Sequence, residues 1–347
     1  MEIVYRSFDD MSRTIRENIH KIPHEIDVVI GVPRSGMIPA YLIGLYLNKP
    51  VMSVETFLDA HHKGEGYIGE AGQRQAYVRQ QETHCALVVD DSYRRGAAHR
   101  KVCEQLASVT DMKFIHMVIY TTPEGVEHLD FWCEVLPSRR LFEWNIFHHK
   151  ALENAALDID GVLCQDPPLD DDGEQYLAYI RHAIPRFIPS TPVSMLVTCR
   201  LEKYRPATEA WLAEQGIRYE KLVMLNLPDK ATRQKWGRHG YYKGEVYAQS
   251  DCTLFIESSL CEALQIAEVT RKPVFCTQTM SMIGQTRSTK DNTGICRCNA
   301  TNDTQTPPQM GQAALQLQEP SLLFHPALIQ QSRSPCAART QFGKREP

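Results

Sequence analysis

The chain has 347 residues, of which 43% are hydrophobic and 23% charged, and its formal net charge is −4. These values are typical of a globular protein with two domains, and they argue against a nucleic-acid partner, which would require a strongly basic face. No run approaches the roughly 18 apolar residues of a membrane helix, and the N-terminal MEIVYRSFDD has no apolar core of a signal peptide. Eleven scattered cysteines indicate reduced thiols. We therefore expect a cytoplasmic protein, either free or at the inner face of the membrane.

Short runs rich in β-branched residues alternate with helical stretches along most of the chain, which predicts parallel sheets covered on both faces. The fold class is therefore α/β, with two Rossmann-like domains in tandem over 1–150 and 151–276. The helices of the second domain include 203–215 and 259–270. The predicted strands are 26–32, 50–54, 85–90 and 113–120 in the first domain, and 155–159, 193–198, 221–225, 252–257 and 272–276 in the second.

The remaining residues, 277–347, are rich in Thr, Gln and Asn and show no sustained periodicity. Such a composition buries too little apolar surface to offset the entropy of ordering the chain, so we expect a largely disordered tail. The tail contains CRC at 296–298 without a second ligand pair, so we do not expect a metal site there.

Two loops of the first domain each follow a strand and open a helix, the position where anionic ligands bind in parallel sheets. They are VPRSG at 32–36 and VVDDSYRRGAAH at 88–99. Backbone N–H groups around Arg95–Ala98 suit a phosphate, and Arg34 offers a charged donor for a second one. Asp90 and Asp91 would repel a bare phosphate. They fit a ligand that also carries vicinal hydroxyls and a metal ion, as a ribose does.

Together the two loops resemble those of type I phosphoribosyltransferases, and the resemblance covers about residues 1–150. It implies that Asp90 and Asp91 hold the ribose hydroxyls of phosphoribosyl diphosphate and the Mg²⁺ shell. It further implies that the departing pyrophosphate lies against Arg34, Ser35 and Gly36, and the 5-phosphate against Arg94, Arg95, Gly96, Ala97 and Ala98. The family usually has hydroxyl residues in this second loop, and Arg94 argues against a 6-oxopurine acceptor.

Two further segments of the first domain receive interpretations from their composition and position. The Gly-rich, charged segment 61–75 lies where the family has a mobile lid. Two interpretations stay open: His61, His62, Lys63 and Arg74 close over the diphosphate, or they belong to an exposed loop without that role. The segment 131–147 carries five aromatic residues, which either pack in the core or form a hood over the acceptor.

The stretch LDIDGVL at 157–163 resembles the signature of haloacid-dehalogenase-like phosphatases, over about residues 151–276. The resemblance implies that Asp158 is the nucleophile and that Asp160 is the acid and base. Two carboxylates facing a phosphate require a cation, so Mg²⁺ is expected, with Asp158, Asp160 and Glu257 as its ligands. Thr198 matches the hydroxyl that binds phosphate in this family.

The lysine that neutralises the phospho-aspartate in the family is matched best by Lys243, with Lys230 and Lys235 as alternatives. Ser258 and Ser259 stand where the family often has a further acid. Only 37 residues separate Asp160 from Thr198, and 58 separate Thr198 from Glu257, which leaves room for no more than a minimal cap. The site is then open, and its phosphate can belong to a large molecule.

The two domains in this order resemble the dual-domain ribofuranosyltransferases of bacterial polysaccharide synthesis. The resemblance implies transfer of 5-phosphoribosyl from phosphoribosyl diphosphate to a glycan acceptor, lipid-linked glycans included, and then hydrolysis of the 5-phosphate. Two alternatives remain open: a nucleobase (orotate-like) phosphoribosyltransferase fused to a nucleotide phosphatase, and a regulatory module that senses phosphoribosyl diphosphate without chemistry. A homodimer is compatible with the sequence, which does not specify the oligomeric state.

Overall fold

The computed structural model describes residues 3–64, 67–68, 77–78, 84–168 and 173–284. These residues all belong to one compact unit, Met1–Gly294. Within the described ranges, no helix is both long enough and apolar enough to cross a bilayer.

The first half of the chain forms a five-stranded parallel sheet with the strand order β3-β2-β6-β7-β8, and two short strand pairs, β1 with β9 and β4 with β5. The strands are β1 Val4–Arg6, β2 Val28–Gly31, β3 Val51–Ser53, β4 Tyr67–Ile68, β5 Tyr77–Val78, β6 Cys85–Ser92, β7 Lys113–Thr121, β8 Phe131–Val135 and β9 Arg140–Phe142. The α-helices are α1 Phe8–Asn18, α2 Met37–Leu47, α3 Val54–Lys63 and α4 Ala97–Leu106.

Strand β6 shows why these runs form a sheet that is buried on both faces. Leu87 and Val89 belong to the core that covers one face, and Ala86 and Val88 to the core that covers the other. A strand with apolar side chains in both directions is stable only between two layers of helices. The predicted central strands are therefore confirmed, and β6 brings its polar end, Asp90–Ser92, to the carboxyl edge of the sheet.

The second half forms a six-stranded sheet with the order β12-β11-β10-β13-β14-β15, parallel except for β15. The strands are β10 Ala155–Leu157, β11 Val193–Leu201, β12 Tyr219–Leu225, β13 Leu254–Glu257, β14 Val274–Cys276 and β15 Ser281–Met282. The α-helices are α5 Glu174–Arg181, α6 Arg205–Glu214, α7 Lys230–Trp236, α8 His239–Ala248 and α9 Leu260–Thr270. The strands and the two helices predicted in this half are confirmed.

One hydrophobic core contains residues from both predicted domains. Tyr5 of β1 packs on Phe275 of β14 with ring centroids 4.9 Å apart, and Ile146 and Phe147 lie in the core of the second sheet. The short β1–β9 pair is therefore joined to the second sheet by buried apolar contact. The division at residue 150 remains a prediction.

The structure differs from the sequence interpretation at two boundaries. His61, His62 and Lys63 form the last turn of α3 and are not part of a loop, because Ser53 caps a helix that ends at Gly64 in a left-handed conformation (φ 69°). Arg74 and most of the predicted lid lie outside the described residues. In the predicted tail, residues 277–284 are ordered, since β15 pairs with β14 and buries Met282. Residues 285–347 lie outside the described part of the chain.

Candidate active sites

The first site is built around Asp90 and Asp91 at the end of β6. Asp91 is buried, and its two carboxylate oxygens accept hydrogen bonds from Ser35 Oγ at 2.9 Å and from Trp144 Nε1 at 2.7 Å. Ser35 lies in the first predicted phosphate loop, so this hydrogen bond joins the two loops. Burial, together with the charge of Asp91, raises the pKa of Asp90 to about 8. A cation or a hydroxyl-bearing ligand would relieve this repulsion.

The second predicted phosphate loop ends in a helix start that suits an anion. Helix α4 begins at Ala97 without a side-chain cap, so its first amides are directed toward the loop. Gly96 has φ +71°, a conformation that side chains disfavour, and a Cβ there would lie 2.3 Å from Tyr93 Oη. Arg94 and Arg95 are exposed on the same loop. A cavity of about 210 Å³ adjoins it, lined by Asp90 and by the residues from Ser92 to His99.

The first predicted phosphate loop approaches β6 closely. A Cβ at Gly36 would lie 2.6 Å from the carbonyl oxygen of Val32 and 2.8 Å from that of Val89, so only glycine fits between loop and strand. The Pro33–Arg34 peptide bond is cis, and Arg34 is exposed beyond it. The structure thus brings Ser35, Gly36 and Asp91 together, while the guanidinium of Arg34 remains at the surface.

Arg140 of β9 is a charged residue of this site that the sequence interpretation missed. It is buried, and its Nη2 donates to the carbonyl oxygen of Tyr93 at 2.6 Å, while its Nη1 has no hydrogen-bond partner among the described residues. Burial and the charge of Arg94 lower the pKa of Arg140 to about 10. Two guanidinium groups in proximity favour an anionic ligand. No local signal marks Arg140, because its position depends on the pairing of β9 with β1.

The second site lies toward the carboxyl ends of β10, β11 and β13. Each of these adjacent parallel strands places one buried side chain there. Asp158 follows β10, Thr198 lies in β11, and Glu257 ends β13. Lys243 of α8 is equally buried, and its Nζ lies 2.7 Å from Asp158 Oδ2, 2.8 Å from Glu257 Oε2 and 2.7 Å from Glu262 Oε2. The structure thus brings together the residues predicted as nucleophile, lysine and metal carboxylate.

Electrostatics in this cluster are dominated by an excess of carboxylates. With all groups ionised, Asp158, Glu257 and Glu262 surround one ammonium, which leaves a formal charge of −2. Burial raises the pKa of Asp158 well above its ordinary value, although Lys243 opposes the shift. Burial alone would lower the pKa of Lys243, but the three carboxylates outweigh it and raise that pKa well above its ordinary value.

The cluster fits a hard divalent cation. Carboxylates are the ligands that Mg²⁺ prefers, and the excess negative charge would be neutralised by one such ion. The residues that would hold it are Asp158 and Glu257, with the backbone carbonyl of Asp160, which accepts a hydrogen bond from Ser258 Oγ at 3.1 Å. Bound there, Mg²⁺ would polarise a phosphoryl oxygen.

Asp160 occupies a different electrostatic environment from the one that the sequence suggested. Arg200 Nη2 lies 2.6 Å from its Oδ1, and Tyr179 Oη donates to the same oxygen at 2.9 Å. Burial would raise the pKa of Asp160, but the Arg200 guanidinium outweighs it and holds that pKa below its ordinary value. A general acid must be protonated. The predicted role of Asp160 therefore requires a leaving oxygen or a phosphate to displace Arg200.

The other predicted residues of this site fall into two groups. Thr198 is fully buried, and its Oγ1 accepts the amide hydrogen of Arg200 at 3.2 Å. Lys230 and Lys235 lie on α7, which contributes no buried residue, so neither shares the setting of Lys243. A cavity of about 490 Å³ is lined by residues that include Arg186 and the two serines that follow Glu257, Ser258 and Ser259.

Glu262 is the acidic residue that the sequence interpretation missed. The spacing of Ser259 and Glu262 is that of a helix capping box, and Ser259 Oγ does cap α9. The Glu262 carboxylate instead reaches Lys243, and the amides of Ser258 and Ser259 donate to Glu257 Oε1 at 2.8 and 3.1 Å. The serines thus hold Glu257 in place, while Glu262 supplies the further acid from one helical turn away.

Comparisons with known proteins give matches to solved structures alone. No model of a protein family matches the sequence, and neither does any curated protein. A purine phosphoribosyltransferase from Pyrococcus horikoshii is similar over 42% of this chain and 94% of its own, with 20% identity and a TM-score of 0.31. The xanthine-guanine-hypoxanthine phosphoribosyltransferase of Helicobacter pylori is similar over 42% of this chain and 95% of its own, with 15% identity and a TM-score of 0.32.

An orotate phosphoribosyltransferase from Aeropyrum pernix is also similar, over 36% of this chain and 67% of its own, with 18% identity and a TM-score of 0.25. Identities and TM-scores at this level do not establish a family.

Proposed function

We propose that the chain transfers a 5-phosphoribosyl group from phosphoribosyl diphosphate to a glycan hydroxyl and then hydrolyses the 5-phosphate, which leaves a ribofuranosyl residue. The first step belongs to the Asp90–Asp91 site and the second to the Asp158–Lys243 site. This proposal extends to the substrate, to Mg²⁺ and to the roles of the individual residues.

In the transfer step, the bond between ribose C1 and the pyrophosphate oxygen breaks, and the acceptor oxygen forms the new bond to C1. The acceptor proton leaves to a base, and pyrophosphate departs. Asp90 and Asp91 face the ribose hydroxyls, while the first turn of α4 and the Arg94–Arg95 pair bind the 5-phosphate. Arg140, whose Nη1 has no hydrogen-bond partner in the described part of the chain, adds positive charge beside this loop. The departing pyrophosphate lies against Arg34 and the loop that carries it, and charges that are fixed before the reaction stabilise a leaving group without reorganisation.

In the hydrolysis step, an Asp158 oxygen attacks the phosphorus atom of the 5-phosphate and the bond to ribose O5 breaks. Once the phosphate displaces Arg200 from Asp160, Asp160 takes up a proton and gives it to the leaving oxygen, and water then cleaves the aspartyl-phosphate and releases orthophosphate. Lys243 Nζ lies 2.7 Å from Asp158 Oδ2, and its charge neutralises the negative charge of the phosphorylated residue. Its three short contacts with carboxylates are the observation that supports this step most strongly.

The link between the two steps is supported by two adjoining surface cavities. Trp144, which donates to Asp91, lines a cavity of about 340 Å³ together with Arg186. Arg186 also lines the cavity of about 490 Å³ above Ser258, and its Nη1 donates to the carbonyl oxygen of Gly161 at 2.6 Å. Arg186 thus offers a guanidinium to a phosphorylated product where these two cavities meet.

The experiment that tests the function is product analysis with two matched variants. The protein is incubated with alkyl glycosides, phosphoribosyl diphosphate and Mg²⁺, and the masses of the products are measured by mass spectrometry. Asp158→Asn should accumulate a 5-phosphoribosylated glycoside, whereas the wild type gives the ribosylated one. Asp91→Asn should abolish transfer while hydrolysis of ribose 5-phosphate persists.

Three outcomes would contradict the proposal. A fully dephosphorylated product from Asp158→Asn would refute the phosphatase assignment. Pyrophosphate release with nucleobases and with no glycoside would refute the glycan acceptor and favour a nucleobase transferase. Binding of phosphoribosyl diphosphate with no pyrophosphate release under any acceptor would indicate a sensor.

A further inference from the structure

We propose that His99, Cys103 and His116 form a binding site for a transition-metal ion of the zinc class, with one coordination position open. The three ligand atoms lie within 4.8 Å of one another. This site is distinct from the carboxylate cluster, and it does not depend on the proposed function.

The distances within the group agree with tetrahedral zinc coordination. Cys103 Sγ lies 3.7 Å from His99 Nε2 and 3.9 Å from His116 Nε2. Bond lengths of about 2.3 Å to sulfur and about 2.0 Å to nitrogen at a tetrahedral angle place the two ligand atoms roughly 3.5 Å apart. Small side-chain rotations therefore bring all three groups to a common ion. The two imidazole rings meet edge to face, with centroids 4.8 Å apart.

The secondary structure holds the three residues toward one another. His99 and Cys103 are one turn apart on α4, so they share a helix face. Val102 and Leu106 of the same face pack in the core between α4 and the sheet. His116 lies on β7 with an opposite orientation to Ile115 and Met117, which pack on the other face of the sheet. Two imidazoles and a thiol thus occupy positions between helix and sheet where apolar side chains are the rule.

The set of ligands specifies the class of metal. Nitrogen and thiolate ligands select Zn²⁺ and similar ions, whereas Mg²⁺ prefers oxygen. His99 and His116 line the cavity of about 210 Å³ below the phosphate loop, so the fourth position faces that cavity. Three protein ligands with an open fourth position are the arrangement that lets zinc bind a further oxygen ligand. The ion would also tie the start of α4 to β7.

The test is metal loading of the whole protein in excess Mg²⁺, which competes with Zn²⁺ for carboxylate ligands elsewhere on the protein. We expect one equivalent of Zn²⁺ to remain after desalting, and Co²⁺ to give the ultraviolet charge-transfer band of a thiolate ligand. Cys103→Ser, which preserves the side-chain volume, should abolish the band and lower retention of Zn²⁺ at least tenfold. His116→Asn should lower retention as well.

The controls separate this site from the other cysteines. Cys261→Ser, on the exposed side of α9, should retain both the metal and the band. The double variant Cys296→Ser, Cys298→Ser removes the two cysteines of the CRC sequence, which are not ligands of the proposed site. It should also retain both the metal and the band. Far-ultraviolet circular dichroism without metal checks that Cys103→Ser is folded. Persistence of the band in Cys103→Ser, or no metal retained by the wild type, would overturn the proposal.

Discussion

Replacement of Lys243 by Met tests the electrostatic account of the second site. Met has similar volume but no charge, so the variant leaves the buried Asp158 and Glu257 and the half-buried Glu262 around an apolar side chain. Removal of one partner from a buried ion pair costs about 3–5 kcal/mol. Because three carboxylates lose the same ammonium, we expect a loss of about 4 kcal/mol in the free energy of unfolding at pH 7.5.

The pH dependence of this loss has a definite sign. Without Lys243, the effect of burial on Asp158 is no longer opposed, so the pKa of this carboxyl lies further above its value in the unfolded chain and the folded state binds more protons. Stability of the variant relative to wild type should therefore fall as the pH rises from about 5 to 8, and most of the loss should be recovered at pH 5. Mg²⁺ should recover part of it at pH 7.5, since a divalent cation neutralises the same carboxylates.

Urea denaturation followed by circular dichroism measures these effects, with Lys272→Met as the matched control. The Lys272 ammonium also makes three hydrogen bonds, to the carbonyl oxygens of Tyr247, Ser250 and Cys252. Its loss exposes no carboxylate, so the control should depend on neither Mg²⁺ nor pH over this range. A loss below about 1 kcal/mol in Lys243→Met, or one that is independent of both pH and Mg²⁺, would refute the reasoning.

Three further changes probe the two sites. Asp90→Asn should stabilise the protein by about 1–3 kcal/mol more at pH 8 than at pH 5, because folding raises the pKa of Asp90 to about 8 and its carboxyl therefore lowers stability progressively as the pH rises from about 4 to about 8. Thermal unfolding at the two pH values measures this. Trp144→Phe retains the stacking on Phe142 but loses the hydrogen bond to Asp91, which should lower kcat/KM for phosphoribosyl diphosphate about tenfold. Arg186→Met should slow hydrolysis of the phosphorylated product about tenfold in a phosphate-release assay and leave pyrophosphate release unchanged.

Each of these changes has a result that would count against it. A pH-independent effect of Asp90→Asn would mean that its carboxyl is not destabilising. Trp132→Phe on β8 is the control for Trp144→Phe, and equal losses in the two variants would assign the effect to packing. A fall in both activities of Arg186→Met would mean that this residue acts on the fold and not on the passage between sites.

The sequence predicted the elements whose cause is local. Runs such as Ala86–Val89 are apolar in both directions, which only a covered parallel strand allows, and the polar residues that follow them must lie at the sheet edge. For this reason the sequence alone places Asp90 and Asp158 at the edge of a sheet, as candidate site residues. Lys243 could be preferred over Lys230 and Lys235 because it shortly precedes a predicted strand.

The rest depends on contacts between distant parts of the chain. Arg200 reaches Asp160 across 40 positions, and Trp144 reaches Asp91 across 53. Arg140 is buried because β9 pairs with β1 at the other end of the first half. Residues 277–284 are ordered because β15 pairs with β14. Composition cannot indicate such a pairing. Local patterns carry no information about such pairings.

The most direct test of the central claim is the ratio of pyrophosphate to orthophosphate released in one reaction. Phosphoribosyl diphosphate labelled in its 5-phosphate is supplied with an alkyl glycoside acceptor and Mg²⁺. We predict equal amounts of unlabelled pyrophosphate and labelled orthophosphate from the wild type, and pyrophosphate alone from Asp158→Asn, with the label retained on the glycoside. Label that remains on the wild-type product, or orthophosphate released without pyrophosphate, would contradict the two-step account.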